Sequence, residues 1–241
     1  MNIDRRALWQ EAFGDTDAFL DGFSATAYAP ERSKSIEING KTVAALYWFD
    51  CRYGEEKLAY LYAVATAKSH RGQGLCHRLM QDTHRHLQEN DYAGALLVPG
   101  NRELVNLYAD MGYTPCTAIG QMSVQAQGKT ECTLIDKREY AAVRRQWLPQ
   151  GGVIQEGENL DFLETQAQFY RGDDFVLAAR KEENRLIGLE LLGNTAKAAA
   201  IVGTMDCKNG EFRIPCGDIP FAMGLFFKEM PIPSYFGLAF D

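Results

Sequence analysis

Apolar residues recur along this chain with two different spacings, and the spacings predict helices that alternate with strands. In residues 4–12 and 15–28 they recur every three or four positions, which is typical of a helix with one buried face. Asp4 and Asp15 stand where N-terminal caps are expected, because a short acidic side chain accepts hydrogen bonds from the free N–H groups of a first turn. We therefore expect two short amphipathic helices here.

The next apolar residues lie in residues 35–49, and the pair Asn39-Gly40 interrupts them. Asn-Gly between two apolar runs favours a two-residue hairpin turn, because both residues tolerate a positive φ. Residues 58–66 form a run that is too continuously apolar for a strand with one solvated face. We therefore predict two antiparallel strands, followed by a strand in the middle of the sheet.

A basic turn with two glycines, Arg71-Gly-Gln-Gly74, follows that buried strand. From Leu75 to about residue 90 the apolar positions share one helix face, and residues 93–98 form another buried strand. Strand, helix and strand in this order predict a right-handed crossover with parallel pairing. A helix over 102–111 that ends at Gly112, and strands over 113–116 and 118–125, then complete a unit that ends near residue 128.

The second half of the chain shows a similar order of predicted elements. These are helices over 137–148 and 159–170, a hairpin over 175–180 and 185–192, a helix over 195–202, and strands over 212–216, 221–227 and 235–240. The order indicates a degenerate repeat of the first half, without a second basic glycine turn. We therefore expect two domains, residues 1–128 and residues 129–241.

Composition and charge narrow the class of protein. The 241 residues carry a net charge of −7, which disfavours a nucleic-acid partner and slightly favours a neutral or cationic one. No run reaches the roughly 20 apolar residues of a membrane span, and the N-terminus does not resemble a signal peptide, so we expect a cytoplasmic protein without a membrane partner. The cysteines and histidines lack metal-ligand spacing, so we expect reduced thiols, surface histidines and no metal.

The turn from Arg71 to Gly74 is suited to an anion, because its glycines leave backbone N–H groups uncovered and a helix N-terminus follows. A P-loop would need G-x-x-x-x-G-K-[ST], which the sequence lacks, and a dinucleotide-binding turn would need a third glycine where His77 stands. The remaining pattern, [QR]-x-x-G-x-[GA], is matched from Arg71 to Cys76, except that cysteine takes the last small position.

With these residues the sequence resembles the GNAT superfamily of acetyl-CoA-dependent N-acetyltransferases over about residues 1–126. The resemblance also rests on Val64-Ala-Thr66 before the turn, and on Asn101, Tyr108 and Gly112-Tyr113 after it. The aromatic stretch over 235–241 is similar to the tail of tandem-repeat members. The resemblance is therefore to a tandem GNAT protein with a degenerate second half.

The resemblance implies an α/β fold with a mixed, mostly antiparallel twisted sheet, whose central parallel strands are splayed and flanked by helices. A second, degenerate GNAT-like α+β half would follow. Acetyl-CoA is the implied co-substrate, and its coenzyme part would lie on the turn and on the strand before it. By position the coenzyme-binding residues are Val64, Thr66, Arg71, Gly72, Gln73, Gly74, Leu75, Cys76 and Asn101. Asn101 has a second interpretation, as the N-cap of the helix that follows it.

The implied reaction is attack by a neutral amine on the thioester, in a ternary complex. An aliphatic amine has a pKa of about 10, so a base has to remove its proton and a donor has to protonate the departing thiolate. Tyr108 matches the donor position of the family, and its alternative role is packing on Tyr113. The candidate bases are Asp50, Glu55, Glu56 and the terminal carboxylate of Asp241.

The predicted function is therefore transfer of an acetyl group to a primary amine of a small molecule or peptide, which the sequence does not identify. The rival hypotheses are a sensor that binds acyl-CoA without turnover and a non-catalytic GNAT-like module. An intact Tyr108 favours the enzyme, because a sensor has no use for a proton donor. The oligomeric state stays open, a homo-oligomer included.

Overall fold

The computed structural model describes residues 1–240 and divides them into two compact units. The first unit consists of Met1–Thr114, Gly157–Phe162 and Met223–Pro231, and the second holds the remaining described residues. A single cut at residue 128, as expected from the sequence, does not reproduce these units. Each unit includes segments from both halves of the chain.

Two helices begin the first unit, as predicted, but their caps differ from the predicted ones. Helix α1 spans Ile3–Phe13 and α2 spans Asp17–Thr26. The side chain of Asn2 accepts from Arg5 N at 2.9 Å, and that of Thr16 accepts from Phe19 N at 3.2 Å. The predicted caps Asp4 and Asp15 are therefore wrong, because a neighbouring polar residue occupies each cap position.

The predicted hairpin and central strand are confirmed. Strands β1 (Ser33–Ile38) and β2 (Lys41–Tyr53) pair antiparallel around Asn39 and Gly40, whose φ angles are +52° and +74°. Strand β3 (Glu56–Thr66) pairs antiparallel with β2 on one side and parallel with β4 (Gly94–Leu97) on the other. Helix α3 (Leu75–Glu89) makes the crossover between β3 and β4, and α4 (Arg102–Ala109) follows β4.

The first sheet has six strands in the order β1-β2-β3-β4-β12-β5. Strand β5 is Thr114–Pro115, and β12 is Met223–Phe226, which pairs antiparallel with β4. The predicted mixed, mostly antiparallel sheet with one central parallel pair is confirmed. Its apolar core on the α3 side includes Trp48, Leu61, Leu79, Met80, Leu97 and Tyr108.

The second sheet also has six strands, in the order β6-β11-β10-β9-β8-β7. Its strands are β6 (Ala118–Gln125), β7 (Thr133–Ile135), β8 (Gln168–Arg171), β9 (Phe175–Glu182), β10 (Arg185–Gly193) and β11 (Asn209–Pro220). Helices α5 (Lys137–Trp147) and α7 (Ala198–Thr204) belong to the second unit, whereas all of α6 (Glu158–Leu163) except its last residue belongs to the first. Strands β8, β9 and β10 pair antiparallel and β10 pairs parallel with β11, as β1 to β4 do in the first sheet.

Three predictions for the strands and helices are wrong. The helix expected over 159–170 ends at Leu163, and β8 follows it. The strand over 118–125 joins the second sheet instead of completing the first, while β12 completes the first. The expected strand over 235–240 is an irregular segment with one bridge, between Gly152 and Tyr235.

A buried ion pair holds that irregular tail in the second unit. Arg144 donates to both carboxylate oxygens of Glu190, from Nε at 2.6 Å and from Nη2 at 2.9 Å. The hydroxyls of Tyr140 and Tyr235 donate to the same carboxylate, each at 2.9 Å. Each carboxylate oxygen therefore accepts two hydrogen bonds, so the charge is compensated although Arg144 and Glu190 are 2% and 0% exposed.

Candidate active site

The two central strands of the first sheet part from each other beyond their third residue pair. Strand β3 pairs with β4 from Leu58–Gly94 to Tyr60–Leu96, yet it keeps pairing with β2 as far as Thr66. Beyond Tyr60, the edge of β3 that faces β4 therefore pairs with no strand of the described residues. The predicted splay of the parallel pair is confirmed. We call the space beyond the last pair the β3–β4 opening.

Strand β3 carries a bulge in the segment that borders this opening. Tyr62 pairs with Tyr47 and Ala65 pairs with Ala45, so two residues of β3 lie opposite one residue of β2. Ala63 has φ +52°, a left-handed conformation that costs a non-glycine residue about 1–2 kcal/mol. The indole Nε1 of Trp9 donates to the Ala63 carbonyl oxygen at 2.9 Å. This contact could not be predicted from the sequence, because no glycine marks the bulge.

The glycine turn lies between β3 and α3 and leaves its backbone accessible. Gly72 and Gly74 have φ angles of +73° and +71°, and a Cβ atom at either position would meet no atom within 4 Å. Gly74 is the N-cap residue of α3, and no side chain within the described chain caps that helix. The N–H groups of the first turn therefore lack intrahelical partners, as an anion-binding helix terminus requires. The turn fits a diphosphate.

The side chains of the predicted coenzyme residues around the turn differ in their exposure to solvent. The Arg71 Nε donates to the Thr66 carbonyl oxygen at 3.2 Å, so this side chain folds back to the end of β3. Gln73 is exposed, whereas the Leu75 side chain is in the core and leaves only its backbone for a ligand. Val64 and Cys76 are partly buried against the same core, and burial raises the pKa of the Cys76 thiol.

Tyr108 lies near the end of α4 and is 6% exposed. Burial raises the pKa of its phenol, and the nearby Cys76 raises it further, so the hydroxyl stays protonated at neutral pH. Among residues 1–240 its hydroxyl makes no hydrogen bond. Its ring meets Tyr113 edge-on, with centroids 5.9 Å apart, so the packing alternative is also satisfied. A protonated hydroxyl that no described residue occupies is what a proton donor needs.

Tyr113 links this tyrosine to α3. Its hydroxyl shares a hydrogen bond of 2.8 Å with Nε2 of His84, and it is 1% exposed. Burial lowers the pKa of His84 to about 4, so the imidazole is neutral at pH 7. The expectation of surface histidines is therefore wrong for His84, which the helix period places on a boundary of the buried face.

Asn101 is the N-cap of α4. Its Oδ1 accepts from Leu104 N at 2.9 Å, which is the capping interpretation. The structure does not bring its side chain into contact with the glycine turn, and its role in binding coenzyme stays a prediction. Asn101 and Tyr108 both lie on the segment that leaves β4, on the other side of the β3–β4 opening from the turn.

The candidate bases Glu55 and Glu56 lie at the wrong end of β3. Glu56 is the first residue of that strand and Val64 is the ninth. Since a strand rises about 3.3 Å per residue, the two residues are roughly 26 Å apart. Asp50 pairs with Ala59, before the strands part, and its Oδ1 accepts from the Tyr92 hydroxyl at 2.5 Å. Asp241 lies outside the described residues. The role of each candidate as a base stays a prediction.

Two further kinds of feature are absent from the described residues. No three His, Cys, Asp or Glu side chains within residues 1–240 are grouped as a metal ion would require. None of the helices in this range combines the length and the apolar composition needed to cross a lipid bilayer.

Comparison with known proteins places this geometry in a family. The sequence profile described as "Acetyltransferase (GNAT) domain" matches residues 4–116. A comparison with curated protein sequences gave no significant match.

Solved structures with a similar fold include three of particular interest. A GCN5-related N-acetyltransferase from Kribbella flavida has a TM-score of 0.70 at 14% identity, covering 92% of this chain and 68% of its own. Eis1 from Mycobacterium abscessus has 0.61 at 13% identity, covering 89% and 63%. A tandem GNAT protein from the clavulanic acid biosynthesis pathway has 0.55 at 8% identity, covering 95% and 96%. Residues 4–116 therefore match the GNAT acetyltransferase domain, and the fold of the chain is shared by solved structures of GNAT N-acetyltransferases.

Proposed function

We propose that this protein transfers the acetyl group of acetyl-CoA to a primary amine. One observation carries the proposal: of the two parted strands, β3 leads to an uncapped glycine turn and β4 leads to the helix that carries the unbonded hydroxyl of Tyr108. The turn can hold the diphosphate of the coenzyme, and Tyr108 can serve the departing sulfur. Neither group alone would distinguish an acetyltransferase from an anion site or a packed tyrosine.

The backbone groups of the glycine turn and of β3 can form the hydrogen bonds that the coenzyme requires. The N–H groups of Gly72, Gln73, Gly74, Leu75 and Cys76 can converge on a diphosphate, and such charge-assisted bonds are strong at a helix N-terminus. Arg71 adds a positive charge beside the turn. Val64 and Thr66 offer backbone groups on the free edge of β3, as an extended amide-containing arm requires. Asn101 completes the set from the opposite side.

Tyr108 has the properties of the general acid. As the acceptor nitrogen bonds to the carbonyl carbon and the carbon–sulfur bond breaks, the phenol can give its proton to the sulfur. Its raised pKa means that the phenol carries this proton at neutral pH. The amine proton goes to a base or to water, and no described carboxylate is assigned that role.

The second unit is proposed to bind no coenzyme. Where its strand β10 turns towards α7, the carboxylate of Asp174 accepts from Asn194 Nδ2 at 2.8 Å and lies 3.4 Å from Lys197 Nζ. The hydrogen bond from Asn194 lowers the pKa of Asp174, so this anion is present at neutral pH. The negative charge of Asp174 would repel a phosphate at this place. Calorimetric titration should give one coenzyme A per chain.

The acceptor is proposed to be a small molecule or peptide amine, and the net charge of −7 favours a cationic one. Acetyl-CoA mixed with polyamines, aminoglycosides, amino acids and peptides should release free thiol with at least one of them. Retained coenzyme binding without thiol release from any amine would support the sensor instead. A protein that neither binds coenzyme A nor releases thiol would be a non-catalytic module.

A further inference from the structure

We propose that Trp9 is a positioning residue for the coenzyme site, and the proposal rests on the function proposed above. Its indole holds the peptide between Ala63 and Val64 in one orientation. Through that peptide it fixes the direction of the Val64 N–H, a backbone group assigned to the arm of the coenzyme. Trp9 itself contacts neither the turn nor Tyr108.

The peptide needs such a restraint because its backbone is unfavourable by itself. Ala63 is in the left-handed region, where glycine is the favoured residue, and alanine has no polar side chain to stabilise the conformation locally. The two bulged residues, Ala63 and Val64, also share a single opposing residue of β2. Surrounding contacts therefore have to determine the orientation of this peptide.

Trp9 is well suited to supply that contact. Its Nε1 donates to the Ala63 carbonyl oxygen at 2.9 Å, and the side chain is 1% exposed. Phe23 packs edge-on against the indole with centroids 5.5 Å apart, so the ring cannot reorient freely. Two residues further along α1, Glu11 accepts from the Lys68 backbone N at 3.4 Å, which anchors the helix beside the residues that precede the glycine turn.

The geometry of a peptide unit carries the effect to the coenzyme side. In a trans peptide the C=O and the following N–H lie in one plane and point in opposite directions. Since Trp9 holds the Ala63 oxygen on the α1 side, the Val64 N–H points away from α1. The Val64 side chain is packed against the core on the α3 side, which restrains the same residue from the other end. A donor held in place before binding loses little entropy when a ligand arrives.

The test compares Trp9→Phe in two backgrounds, the natural chain and an Ala63→Gly variant. Phenylalanine keeps an aromatic ring but lacks the indole donor, and glycine adopts a positive φ without help. In the natural background, Trp9→Phe should weaken coenzyme A binding about tenfold, as expected for one lost hydrogen bond. In the Ala63→Gly background the same substitution should weaken binding by no more than about twofold.

Two further measurements separate this role from simple packing. Hydrogen exchange of the Val64 amide, measured without coenzyme, should be faster in Trp9→Phe than in the natural protein. Phe23→Leu is the matched control, because it disturbs the same aromatic packing but no hydrogen bond to Ala63. It should lower thermal stability while leaving Val64 exchange and coenzyme affinity unchanged.

The outcomes distinguish the two proposals. Equal losses of affinity in both backgrounds, or unchanged affinity and exchange in Trp9→Phe, would overturn the role of Trp9. A natural protein that binds no coenzyme A at all would overturn the proposed function, and with it this inference.

Discussion

The Arg71 guanidinium donates from Nε to the carbonyl oxygen of Thr66 at 3.2 Å, so the first residue of the glycine turn closes back on the last residue of β3. Arg71 therefore has two parts to its role, a charge beside the turn and a hydrogen bond that shapes it. Arg71→Glu removes both and adds repulsion. We expect it to weaken coenzyme A binding at least tenfold, which corresponds to about 1.4 kcal/mol.

Arg71→Lys separates the two parts, because it keeps the charge but not the guanidinium geometry. Its affinity, measured by calorimetry, should lie between those of the natural protein and Arg71→Glu. Arg52→Glu makes the same change of charge near the far end of β3, where Arg52 is exposed, and should leave affinity nearly unchanged. Natural affinity in Arg71→Glu would remove the turn from the coenzyme site.

Tyr108→Phe should reduce kcat by about 100-fold or more, the usual contribution of a positioned acid. Coenzyme affinity and thermal stability should change little, because the hydroxyl makes no hydrogen bond among the described residues. Since its pKa is raised, loss of its proton should not limit activity below about pH 10. A Tyr108→Phe protein with unchanged kcat would leave only the packing role on Tyr113.

Asn101→Ala should lower the free energy of unfolding by about 1 kcal/mol, because it removes the cap of α4. Asn101→Ser should restore most of that stability, since serine is also a good cap. If the amide also contacts coenzyme, as the family position implies, Asn101→Ser should bind coenzyme A more weakly in spite of its stability. Full affinity in the serine variant would reduce Asn101 to a cap.

His84 makes stability depend on pH in a defined window. Its pKa is about 6.5 in the unfolded chain and about 4 in the folded protein, so the unfolded state binds a proton first as the pH falls. The free energy of unfolding is therefore highest above about pH 6.5 and decreases as the pH falls to about 4. The decrease from His84 is at most about 3 kcal/mol. Urea unfolding at pH 7 and pH 5 should show this loss in the natural protein and a smaller one in His84→Gln.

We expect the stability of the second unit to depend on having both Glu190 and Arg144 or neither of them. Glu190→Ala leaves a buried guanidinium unpaired and should destabilise the second unit by about 3–5 kcal/mol. Replacing both residues with apolar ones of similar size, as in Glu190→Leu with Arg144→Met, should recover much of that loss. Denaturant unfolding of the single and double variants measures both effects. Equal instability of the two would mean that the charges themselves are needed.

Much of the first unit follows from local signals in the sequence. Asn39-Gly40 determines its own turn, and the apolar run in β3 could only be buried, so both predictions hold. The helix predicted over 159–170 fails because Leu160, Leu163 and Ala167 have a helical spacing, although the chain changes to a strand at Gln168. Short segments of that kind are ambiguous until tertiary pairing selects one conformation.

The glycine turn could be predicted for the same local reason, because two glycines and the following helix carry their own signal. The contacts of Trp9 and His84 could not be predicted. The hydrogen bond of Trp9 with Ala63 joins residues 54 positions apart, and such a bond produces no periodic pattern in the sequence. Nor could the partners of β6 and β12 be predicted. Neither strand contains anything that specifies which sheet it joins, because strand pairing is decided by the whole sheet.

Strand β6 joins the second sheet and β12 joins the first, and this arrangement has a consequence for folding during synthesis. Strand β12, at Met223–Phe226, completes the first sheet, so that sheet stays open until β12 has left the ribosome. Until then β4 presents an unpaired edge, and unpaired edges are where chains associate wrongly. At about 5–20 residues per second, the roughly 100 residues between β5 and β12 leave that edge exposed for seconds. During that interval β4 is therefore open to pairing with a wrong strand.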